Sequence, residues 1–129
     1  LYQDFDYGEL YSDEHYYQLY EYLNHPNISG LSILGGEPMQ SPNDLYSLIR
    51  RLKEDGYDKN IWIYSGYKYE YIKSRNDMLQ LLLECDILVD GLYVEELKDL
   101  NLKFRGSSNQ RIIDIQESIK YDKVIEYNP

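Results

Sequence analysis

Three short apolar runs shape this sequence, at residues 28–34, 61–64 and 87–89. Each stops at a doublet containing glycine: Gly35-Gly36, Ser65-Gly66 and Asp90-Gly91. Runs this short and this uniformly apolar are typical of strands buried on both faces. Around them lie stretches whose apolar residues recur at helical spacing. Tyr16, Leu19, Tyr20 and Leu23 precede the first run. Leu45, Leu48, Ile49 and Leu52 separate the first from the second, and Met78, Leu81 and Leu82 separate the second from the third. Strands alternating with helices in this way predict an α/β domain, a parallel sheet covered by helices.

The punctuation fits that reading. Ser12 is expected to open the first helix, with Asp13 and Glu14 in the first turn, where the helix dipole favours acids. Asn24-His25-Pro26-Asn27 breaks it. Ser41-Pro42 reads as an N-cap followed by proline at the first helical position, and Gly56 is placed to stop that helix. Beyond Gly91 the pattern weakens. Residues 92–102 are polar and acidic, residues 103–111 read as a loop, and residues 112–115 read as a last strand.

A chain of 129 residues fits one domain and can build a core without staples. No apolar run is long enough to span a membrane, and the acidic, aromatic residues 1–6 are no signal peptide. The chain begins at Leu1 rather than methionine, so a segment upstream is expected to be missing. The net charge of −10 argues against binding nucleic acid, because phosphate backbones demand Lys and Arg. A single cysteine, Cys85, excludes an internal disulfide framework and suits a cytoplasmic protein. The 16 tyrosines suit half-buried surfaces, with an apolar body and a polar tip.

In parallel α/β architectures ligands bind at the carboxyl ends of the strands. There the last backbone groups have lost their ladder partners, and glycine lets a ligand approach them closely. The candidate site is therefore built from Gly35, Gly36, Glu37 and Pro38, from Ser65 and Gly66, and from Asp90 and Gly91. Any one of these glycines alone is better read as a turn residue; three such ends converging on one rim favour a site. The second concentration of polar chemistry is the segment Arg105-Gly106-Ser107-Ser108-Asn109-Gln110-Arg111, able to grip a carboxylate or ribose or simply to form a solvated loop. Other candidates fail. His15 and His25 have no partner at metal-ligand spacing, Cys85 reads as a small buried hydrophobe, and neither a dinucleotide fingerprint nor a P-loop is present.

The order and wording of these motifs resemble a known family. Gly30-Leu31-Ser32-Ile33-Leu34-Gly35-Gly36-Glu37-Pro38 resembles the second-strand motif of radical S-adenosylmethionine enzymes. Ile61-Trp62-Ile63-Tyr64-Ser65-Gly66-Tyr67, Asp86-Ile87-Leu88-Val89-Asp90-Gly91 and the 105–111 segment are similar to the activating proteins of anaerobic ribonucleotide reductase. The resemblance runs from about Asp4 to Ile115, and the 105–111 segment is its most specific part.

The resemblance implies a partial, open parallel βα barrel of the radical S-adenosylmethionine type, a single domain over residues 1–129 whose N-terminal strand and cluster loop are absent. It implies a glycyl-radical activase that reductively cleaves S-adenosylmethionine. Its cofactors would be S-adenosylmethionine and a 4Fe-4S cluster held by three cysteines expected upstream of Leu1. Its partners would be the anaerobic ribonucleotide reductase large subunit and an electron donor such as flavodoxin, and a homodimer is compatible. Carried over position by position, Gly35, Gly36, Glu37 and Pro38 would border the methionine amino group, Ser65 would lie near the methionyl or ribose end, and Asp90 at the fourth strand end. Arg105 is the candidate for holding the carboxylate, since Gly91 and Leu92 stand where some relatives use a lysine. Another small radical enzyme, such as a pyruvate formate-lyase activase, is a rival that the 105–111 segment argues against. A noncatalytic α/β ligand-binding module is the rival from another class.

Overall fold

The structure is a computed structural model that describes residues 13–128; Ser12 and residues 1–6, on which expectations were placed, lie outside the described residues. The elements run α1 (Asp13–Leu23), β1 (Gly30–Ile33), α2 (Pro42–Glu54), β2 (Asn60–Ser65), α3 (Tyr69–Lys73), α4 (Asn76–Leu82), β3 (Ile87–Asp90), β4 (Arg111–Asp114) and α5 (Ile115–Tyr121). Two single 3₁₀ turns, Pro38–Gln40 and Glu95–Leu97, stand in the loops.

The sheet has four strands in sequential order, β1-β2-β3-β4. β1, β2 and β3 are parallel, as the three apolar runs predict, and β4 joins β3 antiparallel. The architecture is thus α/β with a mostly parallel open sheet. The expected last strand is displaced by one residue, to Arg111–Asp114, and Ile115 opens a helix that the sequence reading did not anticipate. Asp114 explains the switch. Its side chain accepts from the Glu117 amide at 3.1 Å, an N-cap that starts α5 directly from the strand end.

The helix spacing around Met78 resolves into two short helices, α3 and α4, broken at Ser74-Arg75. α2 ends as its glycine demands. Gly56 has φ +112°, its amide donates to Lys53 O, and the Tyr57 amide donates to Leu52 O at 2.9 Å, a Schellman closure. At the end of α1, Lys59 Nζ gathers the carbonyls of Leu23, His25 and Ile28.

Alternation along the strands assigns the two faces. Ile61, Ile63, Leu88 and Ile113 join the main core with Tyr16, Leu19, Ile49 and Leu81 of the helices. Ile87, Val89 and Ile112 point the other way, packed with Trp62 and Tyr64. That second face is covered by Phe104 and Tyr127, whose rings lie 5.2 Å and 5.8 Å from Trp62. Cys85 is fully buried, as expected.

Candidate functional site

The sequential parallel order brings the carboxyl ends of β1, β2 and β3 side by side. Gly35 and Gly36 turn out of β1 with φ +75° and +54°, the left-handed region that glycine enters without a Cβ penalty. Among the described residues a Cβ at Gly36 would meet nothing within 4 Å, so this backbone borders open space there.

Glu37 ties the first two strand ends together. Its carboxylate accepts from the Gly66 amide at 2.6 Å, from Ser65 Oγ at 3.0 Å and from the Met39 amide at 2.8 Å. Ser65 Oγ in turn accepts from the Tyr67 amide at 3.0 Å. Each carboxylate oxygen already holds a donor, so Glu37 fixes the rim geometry, and bonds to an ionised acceptor are the stronger kind. Pro38 sits buried in the short turn that Glu37 caps.

Asp90 is 1% exposed. It stands directly opposite Arg111 in the antiparallel register, and Arg111 donates to it through Nε at 3.0 Å and Nη2 at 2.5 Å. The second Asp90 oxygen also accepts from the Tyr69 amide at 2.8 Å. Arg111 reaches on to Glu70 at 3.0 Å. Hydrogen bonds to Asp90 above all, and then to Glu70, raise the Arg111 guanidinium further above its usual range. The Arg111 hydrogen bond also lowers the Glu70 carboxyl. Asp90 shares the helix side of the sheet with Leu88, two residues earlier, and so faces α3.

Between these ends lies a cavity of about 300 Å³, at the low end for a small-molecule site. Gly35, Gly36, Glu37, Ser65 and Gly66 form one side. Gly91, Leu92, Tyr93 and Gln110 form the other, over a floor of Tyr64 and Val89. The site is tight at Gly66, where a Cβ would fall 2.7 Å from Leu92 Cδ2 and 3.3 Å from Glu37 Oε1.

Of the residues expected at the site, Gly35, Gly36, Glu37 and Ser65 line the cavity together. Pro38 and Asp90 support it from behind. Arg105 lies apart, donating to Gln110 O at 2.6 Å and lining a second cleft with Lys103, Ile112 and Tyr127. The wall residue Tyr93 was not singled out in the sequence, and Leu92 entered only as standing where some relatives use a lysine. Their only signal was their place just after a strand-end glycine.

The lining suits a small polar ligand. The lining's hydroxyls already donate within the chain, Ser65 to Glu37, Tyr64 to Phe104 O and Tyr93 to Glu95, so they and Glu37 offer an amino or hydroxyl group their remaining acceptor capacity, beside the glycine backbone. The lining does not suit an iron–sulfur cluster. Among the described residues no group of three His, Cys, Asp or Glu side chains could hold a metal ion. Cys85 faces Leu81 O inside the core, where burial pushes its thiol up to about 12.

Comparison with known proteins gives a consistent picture. The family described as a 4Fe-4S single cluster domain matches residues 1–113. The chain is 36% identical over 97 residues to the anaerobic ribonucleoside-triphosphate reductase-activating protein of Escherichia coli K12, covering 72% of this chain and 62% of that one. It is 34% identical over 107 residues to the protein of that name from phage T4, covering 81% and 65%. It is 34% identical over 113 residues to the one from Haemophilus influenzae, covering 84% and 71%. The chain therefore spans a little under two thirds of the first two of these relatives. No solved structure matches.

Proposed function

The chain belongs to the family of anaerobic ribonucleoside-triphosphate reductase-activating proteins, a 4Fe-4S single cluster domain family, and from that premise we propose that its strand-end cavity binds S-adenosylmethionine for a glycyl-radical activase. The observation that carries this is the joint placement of Gly35, Gly36, Glu37 and Ser65 around one cavity, at the residues that resemble the ligand-binding motif.

In this reading the left-handed Gly35-Gly36 backbone receives the methionine amino group. Glu37 holds the β1 and β2 ends in register, Ser65 borders the methionyl or ribose end, and Pro38, Asp90 and Arg105 act from outside the cavity. When bound, S-adenosylmethionine and the reduced cluster would supply one-electron reductive cleavage of the sulfonium, the electron coming from the cluster, and with it the oxidising power to take hydrogen from a glycine of the reductase. The protein's part is positioning and exclusion of water. Cys85, buried in the core, is given no part in holding the cluster.

The same reading takes the sheet as a partial barrel of the radical S-adenosylmethionine type. It is supported, among the described residues, by the unpaired outer edge of β1, by helices packed on one face of the sheet and by an aromatic second face. The whole protein's partners are then the anaerobic ribonucleotide reductase and an electron donor such as flavodoxin. The reductase meets the rim that carries the 105–111 segment and the exposed Leu92 and Tyr93.

The test uses full-length protein with its cluster loaded. Wild type is expected to bind S-adenosylmethionine and to produce a glycyl radical on the reductase, seen by electron paramagnetic resonance. Gly36→Val is expected to abolish binding, because its side chain enters the open space beside a φ of +54°. Equal affinity in wild type and variant would make this strand end structural only.

A further inference from the structure

The 105–111 segment is rich in groups that grip anions, yet those groups are turned onto the chain itself. Gln110 is the centre. Its Nε2 donates to Gly91 O at 3.0 Å, while its Oε1 accepts from the amides of Gly106 at 2.8 Å and Ser107 at 3.2 Å. One donor facing a carbonyl and one acceptor facing two amides fix the orientation of this side chain. Asn109 Nδ2 donates to Leu92 O at 2.8 Å. Ser107, fully buried, accepts from the Val94 amide at 3.2 Å. Arg105 braces the main chain of Gln110 from the far side, and Arg111 is locked on Asp90.

Each carbonyl held in this way belongs to the far wall of the cavity. Gly91 has φ +99°, and Leu92 beyond it is 71% exposed, so this stretch has turned out of the sheet and these side-chain bonds help to hold it. The Leu92 side chain leans over Gly66, and Tyr93 lies against Gly106, where a Cβ would fall 2.9 Å from its ring. Where Leu92 stands therefore sets the opening between the wall and the Glu37–Gly66 side. The loop is anchored at its other end by Phe104, whose carbonyl accepts from Tyr64 OH at 3.0 Å and whose ring packs on Trp62.

We propose that Gln110 and Asn109 are positioning residues that set the width of the S-adenosylmethionine cavity by clamping the Gly91–Tyr93 wall. This rests on the functional reading above for the identity of the ligand, though not for the clamp. Neither side chain transfers a proton or forms a covalent bond. Their effect reaches the ligand through Gly91 and Leu92.

The experiment combines amide hydrogen exchange with equilibrium dialysis of S-adenosylmethionine, on cluster-loaded full-length protein. Gln110→Ala is expected to speed exchange at Val94, Gly106 and Ser107 by about ten-fold and to weaken binding by about ten-fold, the usual scale for lost hydrogen bonds. Gln110→Glu keeps an acceptor for Gly106 and Ser107 but loses the donor to Gly91 O. It should leave those two amides protected and still weaken binding. Asn109→Ala, at an exposed position, should leave the melting temperature near wild type and weaken binding several-fold. The proposal is overturned if all three variants bind with wild-type affinity. It is equally overturned if Gln110→Ala loses binding while the three amides exchange at wild-type rates, since Gln110 would then touch the ligand directly. If wild type itself binds no S-adenosylmethionine, the functional reading fails, and the clamp is judged by the exchange rates alone.

Discussion

Replacing Asp90 by alanine separates a structural role from a ligand-binding one. The side chain is 1% exposed and accepts three hydrogen bonds, two from Arg111 and one from the Tyr69 amide. Breaking a buried ion pair by removing one partner costs about 3–5 kcal/mol, because a charge is left without compensation. Here the charge left behind is Arg111, whose side chain is 30% exposed and still reaches Glu70, so the low end applies. Asp90→Ala should therefore cost about 3 kcal/mol, roughly 1 kcal/mol of it from the orphaned Tyr69 amide. For a domain of this size that is a fall of about 10 °C in Tm. Arg111→Ala should cost more, about 4 kcal/mol, because it strands the more deeply buried member.

The double variant should cost less than the sum of the two by about 2 kcal/mol. Urea denaturation followed by fluorescence of Trp62, the single tryptophan, measures all three. Additive losses, or a loss below about 1 kcal/mol for Asp90→Ala, would refute the reasoning. A variant that keeps wild-type stability but loses S-adenosylmethionine would make Asp90 a ligand contact instead.

Three further outcomes follow from local features. Tyr69 OH is buried without a hydrogen-bond partner among the described residues, so Tyr69→Phe should leave stability unchanged or raise it by up to about 1 kcal/mol in the same denaturation assay. Gly56→Ala should destabilise by about 1–2 kcal/mol, because φ +112° at the end of α2 is strained for any residue with a Cβ. Burial holds the Cys85 thiol protonated to about pH 12, against roughly 8.5 in the unfolded chain. The folded state then binds more protons between those values, so Cys85 lowers stability as pH rises through that window. The folded protein should also resist alkylation at pH 8, and a stoichiometric reaction without unfolding would contradict the burial.

Three of the four strands and their parallel pairing were legible in the sequence, together with an expectation of where a ligand would sit. Short apolar runs ended by Gly35-Gly36, Ser65-Gly66 and Asp90-Gly91 are local signals, because burial on both faces and release of the chain at a turn both act within a few residues. Helix spacing, the Ser41-Pro42 start and the Gly56 stop were legible for the same reason. The direction of β4 and the use of the polar groups were not. Arg111 meets Asp90 across 21 residues and Glu70 across 41, and Asn109 meets Leu92 across 17. Composition gives such groups the ability to grip a ligand and says nothing of which partner they find. Alternation fixed that Leu88 and Asp90 share a side, but only the packed helices decided that this side faces α3 rather than the cavity. Tertiary structure thus turned a segment that reads as a ligand grip into a brace for the Gly91-Leu92 stretch that follows β3, since a buried polar group must be satisfied by whatever the fold brings within reach.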